Sequence, residues 1–529
     1  MQWIAALAGL ALDDKRRSRR LPSFVADNMT ITKQLVVATI ALLWATGHPH
    51  GATGAEAAAP ASAGLLNDWV RQQDNALKDW DFGGEFRLRY EDYEGAARAA
   101  GTLTSVPTGT KPLTMPMNPN TDFVAHGQVN NTDELLTRLK FHAGWSPTPW
   151  FTVYTEMRNS TSDWDQRMPA PDADTGVLQQ AYIALGDATQ FPFLLKVGRQ
   201  EMIYGDERFA GRSDWGNLGR TFDAVKLRYT NDVFWVDAFV SRIVVPYQDH
   251  FDEDNSYDTF SGIYASSRKI VPWQETDVYV LSHNASSQAV SASAYDVPGT
   301  PSTARDILTM GFRVKSLPGK LAGWDYGLEA AGQVGTINNS IVNQRLNQQA
   351  FAIFSEGGYT WTNVWSSPRL GVGYDGGTGD SNPHDGKGET FDNLFGTRHP
   401  QYGIMDLFCE RNMHIARLAA SCRPLKNLTL SADYRAFWLW DTNDYLYPIS
   451  GSGRNNATTG YGIHPNYDSF VGTEVDLVAS YDVRSWWNVQ AGYGHFFVGT
   501  YIKQSVGAVP ANGGAVDANF VYVQTTFKF

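Results

Sequence analysis

The chain has two cysteines, no internal repeat of about 20–50 residues and no excess of positive charge. Beyond its N-terminal region it also has no apolar run of the roughly 18 residues that a membrane helix needs. Each absence excludes a class. Two thiols in 529 residues do not make a disulfide framework. If Cys409 and Cys422 lie at opposite ends of one strand, a rise of roughly 3.3 Å per residue separates them by about 40 Å, so both are expected to be unbridged. The missing repeat argues against a propeller or β-helix. With 55 acidic against 43 basic residues and a net charge of −12, nucleic acid is not an expected partner. A mean hydropathy of −0.32, together with the missing apolar runs, excludes a bundle of membrane helices. Eleven histidines are scattered without a cluster, and neither zinc-ligand spacing nor a nucleophile elbow occurs. No enzyme chemistry and no cofactor are therefore expected. One segment, 375–389, is rich in Gly and Asp, and its carboxylates and carbonyls are the ligands Ca²⁺ takes. A plain surface loop has the same composition.

The N-terminus carries an export pattern. Lys33 precedes the apolar run Leu35 to Ala45, and small residues dominate from Gly51 to Ala63. The expected organisation is a non-native extension over 1–28 with Met29 the true start, a signal peptide over 29–60, a short periplasmic helical segment over 61–80, and a barrel over 81–529. Arg16, Arg17, Arg19 and Arg20 leave a twin-arginine signal as the weaker alternative, because Asp27 and a long gap part them from the apolar core.

What is abundant is aromatic residues, at 13%, and glycine, at 49 residues. From Asp81 to the end, side chains alternate with a period of two. Phe82, Phe86, Leu88 and Tyr90 share one face and Glu85, Arg87 and Arg89 the other. Leu428, Leu430, Ala432, Tyr434, Ala436 and Trp438 oppose Thr429, Ser431, Asp433 and Arg435. A soluble sandwich and a membrane barrel both alternate in this way. Three features favour the barrel. Most runs are about 9–14 residues, the length of a tilted membrane crossing. Strands placed near 82–91, 134–146, 150–158, 177–186, 193–203, 220–230, 233–246, 258–268, 273–283, 305–315, 323–336, 348–359, 368–375, 410–422, 425–440, 469–482, 486–498 and 518–529 leave connections that alternate between short and long. The last strand, 520–529, ends in Phe, as outer-membrane assembly signals do. The expected fold is all-β: a transmembrane antiparallel barrel of about eighteen strands, with short periplasmic turns and long extracellular loops, in the bacterial outer membrane and in contact with its lipid. Trp145, Trp150, Tyr229, Trp324, Trp438, Trp440, Trp486 and Trp487 fall near strand ends, where girdles form.

About eighteen strands enclose a bore wide enough for water. On its inward parity lie Arg87, Arg89, Arg138, Lys140, Arg158, Lys196, Lys226, Arg228, Arg313, Lys315 and Arg435. Glu85, Glu134, Glu156, Asp237, Glu329, Asp433, Glu474 and Asp476 share that parity. Guanidinium groups present paired donors to the carboxylates of a passing solute. The same charges can instead brace the wall as ion pairs.

Several blocks also resemble the alginate export family of outer-membrane porins: GEFRLRYE at 84–91, LQQAYI at 178–183, KVGRQEMIYGDER at 196–208, Gly211, Trp215, GRTFD at 219–223, and TFDNLFGTRH at 390–399 with Gly403 and Asp406. The resemblance runs from about residue 81 to the end. It implies a monomeric eighteen-stranded barrel with an electropositive constriction, partly occluded by loops, that passes the polyuronate alginate outward. Arg199, Glu201, Arg208, Arg220 and Asp223 match family-typical positions. Arg199 shares a face with Leu195 and Val197, so only a bulge or the strand margin would turn it inward. The expected function is selective diffusion of an anionic polysaccharide or another acidic solute, in the export direction and with possible periplasmic secretion partners. The alternatives are uptake of small nutrients and a structural or adhesin barrel with no transport role.

Overall fold

A computed structural model describes residues 64–529 apart from 97–101, 105–113, 117–122, 127–130, 166, 169–171, 188–189, 249, 293–300 and 458. The expectations for 1–28 and 29–60 lie outside the described residues. Eighteen strands form one closed antiparallel barrel. In chain order they are β1 (Trp80–Glu94), β2 (Thr132–Thr148), β3 (Phe151–Asp163), β4 (Asp174–Leu185), β5 (Phe193–Gln200), β6 (Phe222–Thr230), β7 (Trp235–Val245), β8 (Asp258–Ser267) and β9 (Gln274–Ala285). They continue with β10 (Arg305–Ser316), β11 (Trp324–Asn339), β12 (Gln344–Thr360), β13 (Arg369–Gly377), β14 (Met413–Leu425), β15 (Leu428–Leu439), β16 (Phe470–Arg484), β17 (Trp487–Val498) and β18 (Ala518–Lys528). Each strand pairs with its sequence neighbour, and β1 closes the ring against β18 from Glu85↔Lys528 to Glu94↔Asn519. Phe529 finishes the seam by exchanging two backbone hydrogen bonds with Gly84, at 3.0 and 3.1 Å.

The alternation sets which face points where. Leu139, Phe141, Met157, Val225, Leu227, Val240, Met310, Phe312, Val372 and Leu477 are exposed on the outside. Their sequence neighbours Arg138, Glu156, Arg158, Lys226, Ser241, Thr309, Arg313 and Asp476 are buried inside. A basic side chain turned to acyl chains costs about 2–4 kcal/mol at the bilayer midplane, so this parity is strongly fixed. Outside, rings cluster at the end that carries the short turns. Trp80 meets Trp145 at 6.0 Å, Phe193 meets Tyr229 at 5.2 Å, Trp324 meets Tyr359 at 4.9 Å and Trp487 meets Phe527 at 5.2 Å. Trp438 and Trp440 stand at the opposite, extracellular end, where Trp440 stacks on His414 at 4.2 Å.

Two connections differ from expectation. The segment between β11 and β12 was expected to be long, yet it is only 340–343. Asn339 there accepts from the N–H groups of Ile341 and Val342 at 2.8 and 3.2 Å, a side-chain turn that lets both strands run on. Cys409 is not on a strand but in the loop before β14, while Cys422 is on β14; both thiols are free. At the periplasmic end, the helix α1 (Leu65–Gln73) docks through Asn67, which accepts from the Phe82 N–H at 2.7 Å, and through Arg71, which donates to the Trp80 carbonyl at 2.8 Å.

The seam yields a stability prediction. A Cβ at Gly84 would lie 2.3 Å from the Lys140 carbonyl oxygen and 2.6 Å from the Phe529 ring. Gly84→Val is expected to destabilise the barrel by about 1–3 kcal/mol, measured as a lower urea midpoint for loss of folded gel mobility. An unchanged midpoint would refute this account of the seam.

Candidate functional site

The bore does not stand open behind its wall. The loops 201–221 and 378–412 fold into it, as do parts of 440–469 and 499–517, the last carrying the helix α2 (Thr500–Gly507). Loop 201–221 leaves β5, spans the lumen and returns to β6. At one end Asp206 accepts from Arg313 of β10 through two bonds of 3.0 Å and from Lys315 at 2.7 Å. At the other end Asp214 meets Arg138 of β2 at 3.0 Å and Lys140 at 3.5 Å. β2 and β10 stand on opposite sides of the ring, so this one loop braces the bore across its width. Arg87 donates to the carbonyls of Asp214 and Gly216 at 2.8 and 3.2 Å. Arg89 donates to the Trp215 carbonyl at 2.8 Å and lies 3.8 Å over its ring.

The second loop is bonded to the first. Ala210 and Phe395 form a short parallel bridge, with Gly211 N–H donating to Phe395 O at 3.0 Å and Phe395 N–H to Phe209 O at 3.1 Å. Thr397 donates through its hydroxyl to Glu207 at 2.7 Å, and the rings of His399 and Trp215 stack at 3.7 Å. Farther on, the N–H groups of Met405 and Ile404 reach Glu474 and Asp476 of β16 at 3.2 and 3.3 Å. Gly403 is the residue this approach demands: its φ is +115°, and a Cβ would sit 2.2 Å from a Glu474 carboxylate oxygen. Phe209, Phe391, Phe395, Met405 and Phe408 from these loops pack with inward wall rings such as Phe222, Phe260, Phe354, Phe437, Phe496 and Phe520. Part of the inner face is therefore apolar, where alternation alone suggested a polar bore throughout.

The structure places the wall residues singled out in the sequence inside, most of them in ion pairs. Arg138 meets Glu85 at 2.6 Å, Arg228 meets Asp237 at 2.6 Å with Lys226 at 3.7 Å, and Arg435 meets Asp476 at 2.6 Å. Arg158 binds Asp174 and the Leu218 carbonyl, and Arg417 binds Asp433. Arg313 also reaches Asp277 at 2.7 Å. Glu156 accepts from Tyr154 and Gln180, and Lys196 lies 3.7 Å over the Tyr182 ring. Of the family-typical positions, Glu201, Arg208 and Arg220 are in the lumen. Arg208 pairs with Asp375 at 3.1 Å, and Arg220 donates to the carbonyls of Gly211 and Gly396 at 3.3 and 3.1 Å, as well as to that of Phe395. Arg199 and Asp223 are not in the lumen. They keep the outward parity of Val197 and Val225 and form a two-bond pair of 2.9 and 3.0 Å at the extracellular rim.

The carboxyls of the loop are pulled in opposite directions. Burial alone would raise Asp206, yet Arg313 and Lys315 outweigh it and hold the group at about 2. Glu201 is raised to about 7, first by burial and then by Glu156 and Asp214, with Lys140 opposing.

Above the bridged loops, on the extracellular side, lies a cavity of about 390 Å³. Four guanidinium groups, of Arg220, Arg305, Arg398 and Arg411, face it together with the carboxyls of Asp258 and Asp392. Arg305 pairs with Asp392, and His283 with Asp258 at 2.9 Å. Arg398 and Arg411 donate only to carbonyls, of Ile449 and Gly451 respectively, and the Nε–H of each is buried without an acceptor. The side-chain amide of Asn393, also lining the cavity, is buried with neither atom bonded. Sequence reasoning named Arg220 but passed over Asp392, Asn393, Arg398 and Arg411, because they lie on a loop without alternation. The signal available was that Arg220, Asp392, Asn393 and Arg398 fall within the quoted blocks.

The profile of the alginate export family matches residues 80–515. No curated protein matches the chain. Among solved structures, OpdQ of Pseudomonas aeruginosa is similar at a TM-score of 0.51 and 12% identity, covering 85% of this chain and 98% of that one. OccD3 (OpdP) of the same organism has a TM-score of 0.50 at 12% identity, covering 85% and 91%. OccAB4 of Acinetobacter baumannii has 0.50 at 9%, covering 85% and 98%. At these identities the likeness is one of fold.

The raised Glu201 carboxyl gives a pH prediction. A folded value near 7, above the roughly 4.3 of an unfolded chain, means that the hold of loop 201–221 weakens as pH rises from about 4 to 7 and is level above that. Asp206 acts oppositely: its contribution is full above about 4 and is lost as pH falls toward 2. Hydrogen exchange of the loop amides, corrected for intrinsic rate, should therefore speed up between pH 5 and 7 in the native chain and not in Glu201→Gln. Equal pH dependence in both would contradict the assignment.

Proposed function

The chain belongs to the alginate export family of outer-membrane porin barrels, and from that premise we propose that it is a passive channel selective for acidic saccharides. At the coarser level it is an outer-membrane porin, a channel rather than an enzyme. The arginine-lined cavity carries the finer reading. Its volume falls within the roughly 300–1,000 Å³ of small-molecule sites. Two carboxyls face four guanidiniums, a net positive lining that suits an oxygen-rich anionic solute. One chain builds the whole cavity, so a monomer suffices.

The wall bases Arg138, Arg228 and Arg435 supply little of this selectivity, because carboxylates at 2.6 Å cancel most of their field. Passage of a polymer, as the family description suggests, requires the bridged loops to part. Uptake of small acidic solutes is the second reading. It is favoured by the cross-bonding of loops 201–221 and 378–412, which leaves the space of a small molecule.

Planar-bilayer recordings test both readings. The native barrel is expected to prefer anions, and Arg398→Glu with Arg411→Glu should shift the anion-to-cation permeability ratio toward cations by roughly tenfold, equivalent to about 1.4 kcal/mol. Mono- and oligouronates should block the native current where neutral oligosaccharides of equal length do not. An unchanged ratio in the double variant would overturn the assignment of the cavity. Block by monomers but not by longer chains would favour uptake.

A further inference from the structure

The extracellular ends of β8 to β12 present an outward polar row that the channel reading does not use. We propose that this rim is a binding site for the sugar headgroup of an outer-leaflet glycolipid of the lipopolysaccharide class. Thr259, Asn284, Asp306 and Thr336 stand directly opposite one another on four successive strands, Thr259↔Asn284, Asn284↔Asp306 and Asp306↔Thr336. Arg345 of β12 completes the row, donating through Nε to Thr336 at 2.8 Å and through a terminal nitrogen to Asp306. Asn284 donates to Asp306 at 3.0 Å and its oxygen accepts from Ser282 at 2.7 Å. With Ser256, Tyr257, Ser286 and Ser287 these residues line an outward groove of about 790 Å³.

Position and chemistry both select the occupant. Directly below the row, on the same face, lie Ile263, Val280, Met310 and Phe351, all exposed, so the groove is continuous with the surface that meets acyl chains. A ligand there has its tails on that belt and its polar head in the groove. The groove holds one cation and one anion, already paired, and is otherwise hydroxyl and amide. That set hydrogen-bonds sugar hydroxyls well and is a poor trap for a bare phosphate. The pair is also held ready rather than hidden, with Arg345 41% and Asp306 60% exposed. The extracellular end of a bacterial outer-membrane barrel faces the sugar-headed leaflet.

Native mass spectrometry of the full barrel with added rough lipopolysaccharide or phosphatidylglycerol tests the site. The native chain should retain the lipopolysaccharide over the phospholipid by about tenfold, the equivalent of one or two net hydrogen bonds. Arg345→Ala with Asn284→Ala should abolish the preference, and Thr336→Trp, which fills the groove, should do the same. Arg268→Gln, which removes an ion-paired guanidinium as exposed as that of Arg345 but at the periplasmic rim, should leave it intact. Heat-modifiable gel mobility confirms that each variant is folded. Equal retention of the two lipids by the native chain, unchanged preference in both groove variants, or a dimer in place of bound lipid would overturn the proposal.

Discussion

A guanidinium on a membrane-spanning strand has one tolerable direction, which is inward, and once inside it needs a counter-charge. The rest of this structure depends on that constraint. The barrel is too wide for side chains on opposite walls to meet. Compensation must come from a neighbouring strand, as Asp237 provides for Arg228, or from a segment carried into the bore. Loop 201–221 is that segment. Asp206 and Asp214 both lie well inside it, and the basic groups they meet are on opposite sides of the ring. Its inward course adds loop carboxylates to Arg138 and Arg313, which already meet Glu85 and Asp277 of the wall, and to Lys140 and Lys315 beside them.

Charge alone would place the loop without rigidifying it. The second contribution is an ordinary hydrophobic core, built in an unusual place. Phe209, Phe391, Phe395 and Phe408 are fully or almost fully buried against wall rings, just as they would be in a soluble domain. The backbone bridge between Ala210 and Phe395 and the stacked Trp215–His399 pair join the two loops into one body. The cavity of arginines is a space that this body leaves on its extracellular side.

The wall was legible in the sequence because lipid imposes a period of two and strands of similar length. Eighteen strands, their order and the inward set follow from that rule, and the tryptophans near strand ends follow from the headgroup layer. Strand ends were less legible. Asn339 builds a turn from its own side chain, so β11 and β12 extend beyond the alternation that marked them. The interior was not legible at all from periodicity. Loops that fold inward have no period, and Phe260 or Phe437 on an inward parity looks like a departure from the pattern until a loop is packed on it. The dense blocks around Gly211–Trp215 and Phe391–His399 carried the only trace, and the structure shows these blocks bonded to each other. Arg199 is the instructive case. Its parity gave the outward direction plainly, and the pairing with Asp223 shows that a rim position makes this affordable without any bulge.

Counting bases on the wall therefore misjudges where a solute would feel positive charge. A carboxylate partner fixes a guanidinium and also neutralises it, so Arg138, Arg228 and Arg435 contribute rigidity and almost no long-range field. A carbonyl partner fixes the group through a dipole, and a carboxylate offsets its charge only from farther off, as Glu410 does for Arg398 and Asp392 for Arg411. Arg398 and Arg411 are held in this second way, by loop backbone at Ile449 and Gly451, and each retains an Nε–H with nothing to accept it. Burial near a polar cavity makes such a charge stronger than the same group in bulk water, because less solvent screens it. Under the proposed reading, the arginines held by peptide groups are the ones a solute meets, and the wall's many ion pairs are the frame that keeps those arginines in place.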